Sequence, residues 1–183
     1  MTELYTKKCA LLIETALSFV GKTEKGGDNC GPEVELFQKA VDGKAQRESW
    51  CLAFVQYCVK RTDVLYETKN GGPNPASWLY QTEHCMTLWN HMLENARIQS
   101  LLHPGALILW QYYKDGKATA SGHVGIIKRL IDAHSIETIE GNTGQGTAVE
   151  REGDGVYIKT RRVLTPNGSM RVKGFLQVWD PKL

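Results

Sequence analysis

Nowhere in the chain do apolar residues run on for the roughly 20 positions that a membrane-spanning helix needs, so no helical span is expected. The CxxC spacing of a zinc ribbon is missing. The cysteines, Cys9, Cys30, Cys51, Cys58 and Cys85, are odd in number, so they cannot all pair within one chain, and reduced thiols are the simpler expectation. An excess of one charge is missing too: 22 Lys and Arg stand against 20 Asp and Glu, and a net charge of +2 is too small to argue for nucleic acid. The C-terminal part is the more basic, a bias equally ordinary for a solvated surface. The N-terminal apolar stretch, residues 10–20, is interrupted by Glu14 and patterned as an amphipathic helix, which is not the composition of a secretory leader. Repeats, linkers and low-complexity tracts are absent. What these absences leave is a protein made in the cytoplasm that needs neither staples nor a membrane.

With 183 residues, of which 42% are hydrophobic, the chain has enough apolar material for one domain, residues 1–183, around a sizeable core. Its first part reads as helical. Residues 3–20 show helical periodicity, with Thr2 as cap and Gly21 as stop, and residues 32–41 follow with proline in the first turn. Residues 48–60 change from polar to an apolar run, Leu52, Ala53, Phe54, Val55, Tyr57, Cys58 and Val59, that falls on every side of a helix and so predicts one buried all round. The pattern is lost after Arg61 through a Gly- and Pro-rich loop, and a fourth helix is expected over 83–96, carrying Met86, Trp89, Met92 and Leu93. From Pro104 the period shortens, and residues 106–111, 123–129, 135–140, 156–163 and 173–179 read as strands. Helices followed by strands make an α+β order, with the helix that carries Cys51 packed on a curled antiparallel sheet of about five strands.

Cys51 stands at the mouth of the buried helix. If Ser49 is the N-cap, Cys51 lies in the first turn, where unpaired backbone N–H groups and the macrodipole stabilise a thiolate. A cysteine opening an apolar helix is, taken alone, more often packing than catalysis. Cys58, two turns deeper, is read as core. The second half supplies a base: Ser121-Gly122-His123-Val124-Gly125 opens an apolar strand with a histidine flanked by glycines that let another segment come close. In Ile139-Glu140-Gly141-Asn142 the two polar residues share one face of an extended strand, and either can accept the second imidazole N–H. Nucleophile, base and orienting group are all present in the chain. His84 and His91 flank Cys85, but their separation of two helical turns is too wide for one metal ion.

The ordered set Trp50-Cys51-Leu52-Ala53-Phe54-Val55, Gly122-His123-Val124-Gly125-Ile126-Ile127 and Glu140-Gly141-Asn142 resembles the CHAP family of cysteine, histidine-dependent amidohydrolases and peptidases, relatives of NlpC-type and papain-like enzymes. The segments from Gly27 to Val34 and from Pro104 to Trp110 resemble a bacterial and phage branch of that family. The resemblance implies a papain-like α+β fold and cleavage of an amide bond in peptidoglycan, by an endopeptidase or an N-acetylmuramoyl-L-alanine amidase. By motif, Cys51 is the expected nucleophile, His123 the general base and then acid, Glu140 the orienting residue and Asn142 a second polar partner. The backbone N–H of Cys51 is one expected oxyanion donor, with Gln46 and Gln56 candidates by residue type for the other. Trp50 and Trp78 are candidate substrate contacts, although aromatic residues at such places are at least as often core. The segment before the cysteine, Val41 to Arg47, has one carboxylate and two cations in place of an aspartate-rich calcium loop, so no metal and no cofactor is expected.

With neither a leader nor an appended wall-binding domain expected, the resemblance implies a monomeric phage or prophage endolysin, or an effector injected into rival bacteria. Its partner would be a membrane-hole protein or an immunity protein respectively, and the wall would be reached after lysis or export. Two rivals stand beside this. One is a thiol amidase or deamidase of the same fold acting on a substrate other than the wall; the other is a non-catalytic wall-binding or phage-tail component. Retention of Cys51, His123 and Glu140 together argues against the second.

Overall fold

The computed structural model describes residues 1–71, 74–95, 98–99, 102–146 and 153–182. Helix α1, Glu3–Leu17, starts as expected at Thr2, whose hydroxyl accepts the Tyr5 N–H at 3.2 Å. It stops short of residue 20, and Gly21 closes the turn that follows with φ at 85°. Helix α2, Pro32–Asp42, ends on Gly43 in the left-handed conformation, with the Gly43 N–H bonded to the Lys39 carbonyl. Helix α3, Cys51–Asn70, contains the apolar run, and Leu52, Ala53, Phe54, Val55 and Cys58 are wholly without solvent contact.

Helix α3 departs from expectation at both ends. Its cap is Trp50, not Ser49: Ser49 is exposed, and no side chain caps the helix. At the other end α3 runs nine residues past Arg61, to Asn70. There it changes from a fully buried helix to a half-buried one, with Thr62 and Tyr66 continuing the inner face from Cys58 while Val64 is exposed. A one-sided stripe of mixed polarity does not announce itself as a continuation of an apolar run. Helix α4, Cys85–Glu94, is two residues shorter at each end than expected. Its buried stripe is Cys85, Leu88, Trp89 and Met92, and Leu93 faces out.

Among the described residues six strands follow: β1 (Ile98–Gln99), β2 (Leu107–Lys114), β3 (Lys117–Leu130), β4 (Ser135–Thr143), β5 (Gly155–Arg162) and β6 (Met170–Leu176). They form one open antiparallel sheet in the order β1-β6-β2-β3-β4-β5, the two-residue β1 adding an edge to the five expected strands. This is the papain-like α+β fold. The sheet buries both faces. Leu107, Leu109, Val124, Ile126 and Ile139 join the helices in the larger core, whereas Ala106, Ile108, Trp110, Ile127 and Ile136 form a second cluster.

The last strand lies three residues earlier than expected, because Val178 and Trp179 leave the ladder. The Val178 carbonyl accepts the Trp78 N–H at 2.7 Å, and the Trp179 indole donates to Asp63 of α3 at 2.9 Å. Buried Lys8 of α1 pairs with the same Asp63 at 2.7 Å and lies over the Trp179 ring. The C-terminal segment is thereby pinned to α1 and α3. No helix among the described residues is long and apolar enough to cross a membrane.

Candidate active site

Packing brings the first residue of α3 to the middle of β3. The glycines of β3 and β4 make this possible. A Cβ on Gly122 would lie 3.0 Å from the Cβ of Cys85, one on Gly125 would lie 2.9 Å from Glu140 Cγ, and one on Gly141 would lie 2.7 Å from Phe54 Cβ. Each is a place where a helix or a carboxylate presses on bare backbone. Cys51, His123, Cys85, Asn142, Ser49, Glu83, His84, Tyr112 and Ser121 line the resulting cleft, whose volume is about 300 Å³.

His123 sits between Cys51 and Glu140. Its Nε2 meets Glu140 Oε2 at 2.9 Å, which leaves Nδ1 for the sulfur, and the Trp110 ring stacks on the imidazole from the facing position of β2. Glu140 has no solvent contact at all. It accepts from Arg161 Nε at 2.8 Å and Nη2 at 2.5 Å, and from the Thr138 hydroxyl at 2.5 Å, as well as from His123. Burial on its own would raise the pKa of Glu140, but Arg161 and then His123 hold it well below the usual carboxylate range.

This fixed negative charge reaches the nucleophile through the imidazole. Burial opposes a charged His123, yet its interactions with Cys51 and Glu140 prevail and raise its pKa to about 9. Cys51 moves the other way. A hydrogen bond from the Cys85 thiol is the largest influence; burial opposes it, and His123 and the Leu52 N–H add to it, so the pKa falls well below that of a free thiol. Together these shifts favour a Cys51 thiolate beside a His123 imidazolium, over a carboxylate that Arg161 keeps ionised. Such a thiolate attacks electron-poor carbonyls, and the imidazolium is placed to hand its proton to a leaving amine.

The structure gives the imidazole to Glu140, and Asn142 is otherwise engaged. With its amide oriented to satisfy both neighbours, Asn142 accepts the Trp50 N–H at 3.1 Å and donates to the Gly153 carbonyl at 2.6 Å. It holds the residue just ahead of Cys51, and it does so from a left-handed backbone with φ at 52°. The anchor at the mouth of α3 comes from β4.

Three further expectations are corrected. Trp50 is wholly buried, donates its indole N–H to Glu24 at 2.8 Å and packs on Phe37, so it is core and touches no substrate. Trp78 packs on the larger core through the Val178 contact and is not among the residues lining the cleft. Gln56 is no oxyanion donor either, because its amide is spent on the Tyr80 and Thr82 carbonyls at 2.8 and 3.2 Å, which fixes the segment leading to α4. Arg161, Thr138, Trp110 and Cys85 were not singled out for the site. In β5 Lys159 and Arg161 point inward while Ile158 is 39% exposed, with Arg161 held by Glu140 and Lys159 by the Gly144 and Gly146 carbonyls. At the rim, burial and the neighbouring Glu48 raise the pKa of Glu83 to about 7. Among the described residues no three His, Cys, Asp or Glu side chains gather as a metal-ligand group.

The family described as the CHAP domain matches residues 43–142. The match begins at the glycine that ends α2 and closes on Asn142, so Cys51, His123 and Glu140 all lie within it. A search of curated proteins finds no match to the chain.

Proposed function

The chain belongs to the CHAP domain family, the cysteine, histidine-dependent amidohydrolases and peptidases, and from that footing we propose that it hydrolyses an amide bond in the peptide part of peptidoglycan. The observation that carries the reading is that Cys51 and His123 line one cleft with buried Glu140 behind the imidazole, its carboxylate fixed by Arg161. In the proposed reaction the Cys51 thiolate adds to the scissile carbonyl carbon. The carbonyl oxygen gathers negative charge at the N-terminus of α3, where the first-turn N–H groups have no helical partner. Collapse of that adduct breaks the carbon–nitrogen bond, and His123 gives its proton to the departing amine. His123, now neutral, takes a proton from water, whose oxygen attacks the thioester; the acid leaves, and the thiolate–imidazolium pair is restored.

Glu140 orients the ring throughout and keeps the imidazolium favourable without exchanging protons. The cleft suits a short extended peptide: it is open, it takes in about 300 Å³, and its walls are polar at Ser49, Glu83, Tyr112 and Ser121.

Digestion of purified peptidoglycan by the protein and by Cys51→Ala, with mass spectrometry of the released fragments, tests the proposal. New amino termini produced only by the unmutated protein are expected, and their identity assigns the bond as muramoyl amide or as a link within the peptides. No release from walls of several chemotypes by folded, reduced protein would contradict it.

A further inference from the structure

Cys85 lies beside Cys51 in the cleft, and the proposed hydrolysis gives it no chemical step. It is the first residue of α4, as Cys51 is the first of α3, and their sulfurs lie 3.9 Å apart. Both thiols line the cleft, with residual exposures of 6% for Cys51 and 5% for Cys85. Bare backbone at Gly122 draws Cys85 this close: a Cβ there would lie 3.0 Å from Cys85 Cβ and 2.7 Å from the Met86 methyl. The other three cysteines have different surroundings. Cys58 is two turns deeper in α3, Cys9 packs under Gly105, and Cys30 donates to the Lys25 and Gly27 carbonyls.

We propose that Cys51 and Cys85 form a reversible redox site, in which a peroxide converts the nucleophile to a Cys51–Cys85 disulfide and a small thiol restores it. The inference rests on the reading of Cys51 as the reactive thiolate. In the first step the Cys51 thiolate attacks the O–O bond of hydrogen peroxide and becomes a sulfenic acid, and the hydroxide released takes the His123 proton and leaves as water. In the second the Cys85 sulfur attacks the sulfenic sulfur, and its proton and the sulfenic hydroxide leave as water. Two thiols are oxidised, one peroxide is reduced to two waters, and nothing else is consumed. The sulfurs must close from 3.9 Å to a bond of about 2 Å.

Cys85 suits the resolving role because its sulfur already lies within hydrogen-bond reach of the Cys51 sulfur. Without it, the sulfenic acid proceeds to the sulfinic state, which small thiols do not reverse. The disulfide removes the nucleophile, so oxidation stops hydrolysis and reduction restarts it.

The test treats the reduced full chain and Cys85→Ser, which keeps a hydroxyl donor, with a small excess of hydrogen peroxide and then with dithiothreitol. Peptides are mapped without reductant, and wall hydrolysis is measured at each stage. For the unmutated protein the expected results are a peptide carrying Cys51 joined to one carrying Cys85, loss of nearly all activity, and recovery with dithiothreitol to the starting value. Cys85→Ser, compared with its own reduced activity, is expected to accumulate sulfinic Cys51 and to recover little. The inference is overturned if the unmutated protein forms no joined peptide and its Cys51 over-oxidises as fast as in Cys85→Ser. A joined peptide in a protein that, reduced and folded, releases nothing from walls supports the redox site and sinks the wall reading alone.

Discussion

Glu140 bears the largest electrostatic load of any residue in the site. A carboxylate stripped of water costs several kcal/mol unless its oxygens are paired, and Arg161, Thr138 and His123 supply those partners. Glu140→Gln therefore acts twice. It leaves the Arg161 guanidinium buried and without its counter-charge, which is expected to lower stability by about 3–5 kcal/mol in urea unfolding. It also removes one of the two groups that raise the pKa of His123 to about 9. The imidazolium then deprotonates at lower pH, so the alkaline limb of the rate–pH profile moves down, and the acid limb, set by Cys51, moves up because the weaker imidazolium stabilises the thiolate less. An unchanged alkaline limb in a folded variant would show that Glu140 does not act through His123. The residue scale is also where sequence is most legible: Cys51, His123 and Glu140 were marked by where they sit in their elements. Trp50 was misread because an aromatic beside a nucleophile looks the same whether it faces substrate or Phe37, and only packing distinguishes the two.

Elements deliver these side chains, and glycine sets how closely they approach. Gly125 lies mid-strand with ordinary backbone angles, so Gly125→Ala adds volume without backbone strain. Its Cβ would stand 2.9 Å from Glu140 Cγ and 3.3 Å from Thr138 Cβ, and Glu140 must move. Activity is expected to fall by about tenfold or more while the protein remains folded, since a shift of an ångström in a catalytic group costs about that much or more. Retention of full activity would mean that the sheet yields instead of the carboxylate. Asn142→Ala tests the other anchor. It leaves the buried Trp50 N–H without its acceptor, at about 1–3 kcal/mol, and puts alanine where φ is 52°. A lower unfolding midpoint is expected, with the His123–Glu140 contact, and hence the alkaline limb of the pH profile, left in place. Most element positions were legible from periodicity. The start of α3 was not, because its anchor is Asn142, 92 positions away in sequence, and no local capping pattern points to it.

At the scale of the whole molecule, the order of helices before strands gives the α+β class directly. Strand neighbours do not follow from it: β6 crosses to lie beside β2, a long-range pairing that no local pattern encodes. The C-terminal segment closes the structure through Trp179, which bonds Asp63 and lies under Lys8, far from the cleft. Trp179→Ala is expected to cost about 3–5 kcal/mol of stability, as removal of a buried tryptophan does, while Cys51 in the folded fraction keeps its reactivity. Equal loss of reactivity and stability would show that the tail contributes to the site as well as to the fold.

The burial of Glu140, the pairing with Arg161 and the glycine contacts converge on one physical state, a Cys51 thiolate beside a His123 imidazolium. The rate of alkylation of each cysteine by iodoacetamide, followed by mass spectrometry from acid to alkaline pH, measures that state directly. Cys51 is expected to react far faster than Cys9, Cys58 or Cys85, whose pKa values are raised, and its rate is expected to be already level at neutral pH. The level region should shrink in Glu140→Gln. A Cys51 rate that climbs through pH 8 and beyond like that of a free thiol, or uniform slow labelling of all the cysteines, would contradict the thiolate–imidazolium pair and with it the proposed hydrolysis.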